Sequence, residues 1–175
     1  MFLIPLNKIN LTFCGMMGSG KSIIAQKIAR IIDFKHIDTD KLIEKKMGKS
    51  ISKIFEKEGE IHFREIEETI ITKILDKKNC VISLGGGSLI SKKIRNIIKK
   101  NSFNIYLDVS IDKLTKRLVY SENRPLIKNA NLKEKLMELI EKRKSFYNQA
   151  NLIINNENKL PETINELKKK LKIDE

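Results

Sequence analysis

The chain has 175 residues, of which 41% are hydrophobic, which suits one domain with a real core and is too short for two full ones. The formal net charge is +13, but the lysines are spread over predicted helix surfaces, and aromatic residues make up only 6% of the chain. Surfaces that bind single-stranded nucleic acid combine basic residues with aromatics that stack on bases. We therefore favour solvated lysine faces and expect no nucleic-acid partner, although the charge would still attract anionic ligands.

Hydropathy and cysteine usage limit the cellular context. No stretch approaches the about 20 apolar residues that a membrane-crossing helix needs, and the apolar start of the chain is too short for a signal peptide. The two cysteines, Cys14 and Cys80, lie far apart in sequence without metal-binding spacing, which indicates a reducing compartment. We expect a cytoplasmic protein with no membrane partner.

Apolar runs alternate with segments of helical spacing along the whole chain. In chain order, the predicted elements are strand 9–14, helix 23–32, strand 35–37, helix 39–47, helices 51–57 and 60–77, strand 80–84, helix 91–100, strand 103–108, helix 112–120, helix 131–148, strand 151–155 and helix 161–173. Strands that are separated by helices predict an α/β fold with a parallel sheet covered on both faces.

A glycine-rich phosphate loop of pattern G-x-x-x-x-G-K-S lies between the first strand and the first helix. Its glycines let the backbone aim several N–H groups at one anion, Lys21 brings a positive charge to the outer phosphates, and Ser22 offers a hydroxyl to Mg²⁺. The loop therefore predicts binding of a nucleoside triphosphate. The predicted ATP-binding residues here are Gly15, Met16, Met17, Gly18, Ser19, Gly20, Lys21, Ser22 and Ile23.

Carboxylates follow two of the predicted strands, and ligands gather at the carboxyl ends of parallel strands. Asp38 and Asp40 follow the second strand and could hold Mg²⁺ or accept a proton, but Asp38 could also cap the next helix and Asp40 could merely complement its dipole. Asp108 ends an apolar strand and rivals Asp38 as a magnesium-binding residue, although it could equally cap a helix. Sequence spacing leaves these alternatives open.

Three consecutive glycines, Gly85, Gly86 and Gly87, follow the third strand. Such a run costs backbone entropy and would normally be avoided. Because the glycines stand at a strand end, we favour close approach of a ligand to their bare amides over a simple flexible turn.

Four arginines stand out in this lysine-rich chain, because arginine gives planar, bidentate recognition of carboxylate or phosphate. They are Arg64, Arg117, Arg124 and Arg143. Arg124 lies in a polar segment that fits a lid closing over phosphates.

Together, these motifs resemble the shikimate kinase family over most of the chain. The features that carry the resemblance are the phosphate loop, Asp38-Thr39-Asp40, Ile54-Phe55 with Gly59-Glu60, Phe63-Arg64-x-Ile66-Glu67, Leu84-Gly85-Gly86-Gly87, Arg117, Arg124-Pro125-Leu126, and Arg143 before Tyr147. Their order and intervals match, which is far more specific than one motif alone.

The resemblance implies a three-layer P-loop kinase fold in one domain, with a five-stranded parallel sheet of order 2-3-1-4-5. It places a small helical substrate-binding part at about residues 38–68 and a lid at about residues 119–131. It also implies transfer of the terminal phosphoryl group of ATP to the 3-hydroxyl of shikimate, in the route to chorismate and aromatic amino acids. We expect Mg²⁺ as cofactor and a monomeric enzyme.

The resemblance further implies roles for individual residues. Lys21, Arg124 and Asp40 are the expected catalytic residues, with Asp40 as the candidate base. Ser22 is expected to ligate Mg²⁺ with support from Asp38 through water.

The remaining implied contacts concern the two substrates. Arg117 is expected to lie against adenine and Arg124 to come down with the lid, while Glu67 orients the arginines. The expected shikimate-binding residues are Asp40, Phe55, Phe63, Arg64, Gly85, Gly86, Gly87 and Arg143. Helical spacing alone would assign Phe55 and Phe63 to the core.

Two other function classes fit parts of the pattern. Another small-molecule kinase on the same scaffold, such as a gluconate or nucleotide kinase, is disfavoured by the triple glycine and the Phe63-Arg64 pair. A non-catalytic ATP-binding module is disfavoured because Asp40, Arg64 and Arg143 are all present.

Overall fold

The structure of the protein is a computed structural model that describes residues 10–119 and 131–173. The strands are β1 (Asn10–Cys14), β2 (Lys35–Asp38), β3 (Cys80–Ser83), β4 (Ser102–Asp108) and β5 (Leu152–Asn155). The helices are α1 (Lys21–Ile31), α2 (Thr39–Met47), α3 (Ile51–Leu75), α4 (Lys92–Asn101), α5 (Ile111–Leu118), α6 (Leu132–Tyr147) and α7 (Leu160–Leu171), with a 3₁₀ turn at Ser88–Ile90.

The five strands form one parallel sheet in the order β2-β3-β1-β4-β5, which confirms the predicted fold class and strand order. Side chains alternate between its two faces because successive residues of a strand point in opposite directions. Leu11 and Phe13 of β1 pack in one cluster with α1 and α7. Ile82 of β3 and Tyr106 of β4 pack in the other, with α3 to α6. The fold thus has three layers.

Local sequence signals set several helix boundaries. Ser50 and Ser91 accept hydrogen bonds from backbone N–H groups in the first turns of α3 and α4, as N-caps do. Gly48 ends α2 in the left-handed region with φ 63°. Gly59 has φ 81° and ψ 170°, so it breaks α3 into the two helices predicted from sequence.

The predicted lid lies almost entirely outside the described residues, and so does Arg124. Within the two described ranges, no helix has both the length and the apolar character that crossing a membrane requires.

Candidate active site

Three strand ends bring the predicted site residues to one edge of the sheet. In the register of the sheet, Phe13 of β1 pairs with Ser83 of β3, and Ser83 pairs with Asp38 of β2. The phosphate loop, the start of α2 and the glycine triplet therefore leave the sheet side by side. They border a cavity of about 480 Å³. Its lining includes Met17, Ser22, Asp38, Asp40, Phe55, Phe63, Arg64, Glu67, Gly85, Gly86, Gly87 and Arg143.

The phosphate loop keeps its shape through close backbone packing. Gly15 has φ 136°, and a Cβ added there would lie 2.7 Å from the carbonyl oxygen of Leu107, so only glycine fits. The Lys21 ammonium donates hydrogen bonds to the carbonyl oxygens of Gly15 (3.0 Å) and Met16 (2.9 Å). Lys21 thus reaches back across the loop that is predicted to hold phosphate.

Residues from distant parts of the chain form hydrogen bonds that hold the outer side of the phosphate loop. The side-chain amide of Asn156 donates to the carbonyl oxygen of Ser19 at 2.7 Å, and the Thr163 hydroxyl donates to Asn156 Oδ1 at 2.7 Å. Arg117 donates to the carbonyl oxygens of Gly18 (3.0 Å) and Asn156 (3.4 Å). Sequence reasoning missed the loop contact of Asn156; its position directly after β5, at a strand end, was the available signal.

Asp38 lies beside the phosphate-loop serine. The Ser22 hydroxyl donates to Asp38 Oδ2 at 2.5 Å, while Asp38 Oδ1 accepts from the N–H of Lys41 and so caps α2. Both interpretations of Asp38 from the sequence are therefore compatible. The rival residue, Asp108, instead accepts the hydroxyl hydrogen of Tyr106 at 2.7 Å.

The chemistry of this pair suits a magnesium ion. Mg²⁺ prefers oxygen ligands, keeps several waters and usually takes only one or two carboxylates in addition to substrate phosphates. Ser22 and Asp38 supply one hydroxyl and one carboxylate at the mouth of the phosphate loop. The donor set therefore fits the ion that the sequence pattern predicts.

An ion pair between the half-buried Arg64 and the buried Glu67 shapes the opposite wall of the cavity. Arg64 donates to Glu67 Oε2 at 2.6 Å and to Glu60 Oε1 at 3.0 Å, and Ser88 donates to Glu67 Oε1 at 2.7 Å. Burial opposes the charge on Arg64, but the two carboxylates, Glu67 above all, outweigh it and raise the pKa of the guanidinium. Arg64 therefore remains a cation in the cavity wall.

Two phenylalanines form an apolar wall next to this arginine. The rings of Phe55 and Phe63 have centroids 4.6 Å apart, and the Arg64 guanidinium lies 5.2 Å from the Phe63 centroid. Phe63 is buried and Phe55 only half-buried, and both line the cavity. They are thus both core residues and cavity residues.

The glycine triplet is closely surrounded by charged side chains. A Cβ added at Gly85 would lie 2.6 Å from Asp40 Oδ1, and one added at Gly87 would lie 2.6 Å from the Arg64 Cζ. Gly85 and Gly87 are therefore needed for space rather than for a left-handed backbone, whereas a Cβ at Gly86 would make only ordinary contacts. The approach of a ligand to the amides of the triplet stays a prediction.

The middle glycine is held from the other side by α6. Arg143, which is buried, donates to the Gly86 carbonyl oxygen at 3.3 Å, and the Tyr147 hydroxyl donates to the same oxygen. Sequence reasoning did not assign a function to Tyr147 or Ser88. Two residues predicted to bind ATP are more exposed than the cavity lining. Ile23, in the first turn of α1, is 57% exposed, and Arg117 lies at the outer side of the phosphate loop.

A sequence model of the shikimate kinase family matches residues 17–172. The chain belongs to the shikimate kinase family. It is 41% identical over 155 residues to the shikimate kinase of Sulfurihydrogenibium sp. (strain YO3AOP1), which covers 89% of this chain and 92% of that protein. It is 38% identical over 153 residues to the shikimate kinase of Bartonella quintana (strain Toulouse), covering 87% and 73%.

Solved structures agree with this membership. The shikimate kinase of Acinetobacter baumannii in complex with shikimate superposes with a TM-score of 0.89 at 28% identity, covering 94% of each chain. A gluconokinase from Sinorhizobium meliloti 1021 superposes with a TM-score of 0.59 at only 16% identity, covering 91% of this chain and 89% of that one. The latter likeness shows the shared kinase fold alone.

Proposed function

We propose that this member of the shikimate kinase family transfers the terminal phosphoryl group of ATP to the 3-hydroxyl of shikimate. The observation that carries the proposal is a single cavity whose lining combines Ser22 of the phosphate loop with Asp40, Arg64 and Arg143. Such a cavity offers one end to a phosphate donor and the other to a small hydroxylated carboxylic acid.

The donor end is assigned to ATP and Mg²⁺. We propose that the amides of residues 15–22 and the Lys21 ammonium hold the phosphates, with Ile23 at the start of α1 and Arg117 towards the adenine. Ser22 is the proposed ligand of Mg²⁺ and Asp38 its support, as their 2.5 Å contact at the cavity edge suggests. Bound Mg²⁺ would offset the negative charge of the phosphates.

The acceptor end is assigned to shikimate. A ring with one carboxylate and several hydroxyls needs cationic donors, a hydroxyl acceptor and an apolar surface. Arg64 and Arg143 supply the first, Asp40 the second and Phe55 with Phe63 the third. We propose that the amides of Gly85, Gly86 and Gly87 complete this subsite.

The proposed reaction depends mainly on positioning and charge neutralisation. The acceptor oxygen forms a bond to the terminal phosphorus, the bond from that phosphorus to the bridging oxygen breaks, and ADP leaves. Asp40 orients the hydroxyl and receives its proton. Lys21 neutralises phosphate charge, and we assign Arg124 the same task within a lid at residues 119–131, which lies outside the described residues but for its two ends.

We further propose that the chain is one domain that acts as a monomer in the cytoplasm. Both described cysteines, Cys14 and Cys80, are buried free thiols, which supports a reducing compartment. Size-exclusion chromatography with light scattering tests the oligomeric state: a mass near 20.3 kDa supports the monomer, and a larger mass contradicts it.

The central test is a coupled ADP-release assay with Mg²⁺ and ATP, with shikimate present or absent. We expect ADP release to depend on shikimate and not to be supported by gluconate, AMP or CMP as acceptor. Transfer to one of these acceptors in place of shikimate would refute the proposed substrate. ATP binding without turnover on any acceptor would favour a non-catalytic module.

A further inference from the structure

The hydroxyl of Tyr147 lies where the donor and acceptor halves of the site meet. Tyr147 ends α6, one turn after Arg143, and is 1% exposed. Its hydroxyl donates to the carbonyl oxygen of Gly86 and lies 3.7 Å from Met16 Sδ. One buried hydroxyl therefore contacts both the glycine triplet and the phosphate loop.

The ring that carries this hydroxyl is held in place by a second tyrosine. Tyr106 of β4 stacks on Tyr147 with ring centroids 5.1 Å apart and an interplanar angle of 26°. The Tyr106 hydroxyl is directed elsewhere, to Asp108. Burial raises the pKa of Tyr147 above its ordinary value, which already lies well above neutral pH, so the hydroxyl carries the hydrogen that it donates.

The Gly86 carbonyl has a second donor, and that donor is the arginine assigned to the substrate carboxylate. Arg143 Nη1 lies 3.3 Å from this oxygen, a long distance for a charge-assisted hydrogen bond. A carbonyl that lost the tyrosine hydroxyl would draw the guanidinium closer. The carbonyl of Gly86 and the N–H of Gly87 also share one peptide plane and point in opposite directions, so fixing the first fixes the second.

We propose that Tyr147 is a positioning residue for the acceptor subsite. Its hydroxyl holds the Gly86 carbonyl, which keeps the Gly87 amide aimed away from Tyr147 and leaves the Arg143 guanidinium available to the carboxylate of the acceptor. This inference rests on the proposed function, since it concerns how the same subsite binds shikimate.

The test compares Tyr147→Phe with Tyr106→Phe. Each variant removes one buried hydroxyl from the same stacked pair, but only the first hydroxyl contacts Gly86. For Tyr147→Phe we expect the KM for shikimate to rise about five- to tenfold, as for the loss of one hydrogen bond. We expect the KM for ATP to stay within about twofold. For Tyr106→Phe both KM values stay within about twofold, with a comparable fall in thermal midpoint.

Direct titration of shikimate by calorimetry separates binding from turnover. We expect the affinity of Tyr147→Phe for shikimate to fall by the same factor of about five to ten, which corresponds to the loss of one hydrogen bond. Equal changes in the KM for shikimate in the two variants would overturn the proposed role of Tyr147 but would not contradict the proposed reaction. Parallel rises in both KM values of Tyr147→Phe would also overturn it, because they would mark a general structural effect. Absence of shikimate-dependent turnover in the unaltered enzyme would overturn both proposals.

Discussion

The two arginines of the proposed acceptor subsite differ in how their charge is balanced. Arg64 is paired with Glu67 and Glu60, whereas Arg143 donates to the neutral carbonyl of Gly86. At Arg64, a ligand carboxylate would be the third anion around one guanidinium. At Arg143, the same carboxylate would be the first anion, because the guanidinium is bound only to a neutral carbonyl in the contacts described above. We therefore expect Arg143 to contribute more to the affinity for shikimate.

Replacing Arg143 tests this difference. Arg143→Ala should raise the KM for shikimate by about tenfold to a hundredfold, because a charge-assisted hydrogen bond contributes roughly 1.5–3 kcal/mol. The KM for ATP should change little. Arg95→Ala is the matched control, since Arg95 also donates to backbone carbonyls, those of Leu89 and Ile90, but lies outside the cavity lining. Unchanged shikimate kinetics in Arg143→Ala would exclude Arg143 from binding the carboxylate of shikimate.

Asp40 is the residue for which the chemical and structural interpretations differ most clearly. Asp40→Asn keeps the shape of the side chain but removes its charge, so turnover should fall by about a hundredfold or more while ATP still binds. Asp112→Asn is the control, because Asp112 likewise lies in the first turn of a helix and complements its dipole. Initial rates and ATP titrations measure both effects. Near-normal turnover in Asp40→Asn would remove this carboxylate from the mechanism.

At the scale of elements, the glycine triplet and Gly48 serve opposite purposes. Gly87 has φ −106°, which any residue adopts, but an added Cβ would meet Arg64. Gly48 has φ 63°, yet nothing lies within 4 Å of an added Cβ. One glycine is required by its neighbours and the other by its backbone.

Substitutions at these two positions should affect different properties, kinetics at Gly87 and stability at Gly48. Gly87→Ala should raise the KM for shikimate severalfold because Arg64 must move, while unfolding stability changes little. Gly48→Ala should leave the kinetics unchanged but cost about 1 kcal/mol of stability, since L-residues are disfavoured in the left-handed region. Urea denaturation and steady-state kinetics measure the pair. Unchanged shikimate kinetics in Gly87→Ala, with a kinetic effect in Gly48→Ala instead, would show that the triplet is a flexible turn.

Local sequence signals predicted the elements well, because they depend on neighbouring residues. Ser50 and Gly48 marked helix ends, and the break at Gly59 was visible as a helix stop. The expected approach of a ligand to the glycine triplet stays a prediction, because the close contacts at Gly85 and Gly87 are with side chains of the same chain. The bounds differed by a few residues at most, as where α1 begins at Lys21.

The missed residues have partners far away along the chain. Tyr147 is 61 residues from Gly86, and Asn156 is 137 residues from Ser19. No periodicity or cap pattern links positions at such separations, because the contact exists only after the sheet has formed. The sequence left Asp38 and Asp108 open as alternatives for the same reason, because strand pairing and not sequence spacing puts Asp38 beside Ser22.

At the scale of the whole molecule, the helical layers shield the sheet from solvent, and Cys14 reports on this shielding. Cys14 ends β1 under the phosphate loop, is 1% exposed, and burial raises the pKa of its thiol to about 12. The thiolate is the reactive form of cysteine. Native Cys14 should therefore resist alkylation at pH 8, whereas the unfolded chain reacts readily.

The variant Cys80→Ala isolates Cys14, since the chain has only two cysteines. Iodoacetamide labelling followed by mass spectrometry should show little modification of this variant without urea and complete modification above the unfolding midpoint. Because burial raises the pKa of the folded thiol above its ordinary value of 9.0, the folded chain binds more protons than the unfolded chain above that pH. The thiol's stabilising contribution is therefore present below pH 9 and is lost as the pH rises towards 12. The stability difference between Cys80→Ala and the variant that also carries Cys14→Ala should therefore shrink between pH 8 and pH 10.5. Rapid labelling of the folded variant at pH 8 would contradict a closed three-layer core beneath the phosphate loop.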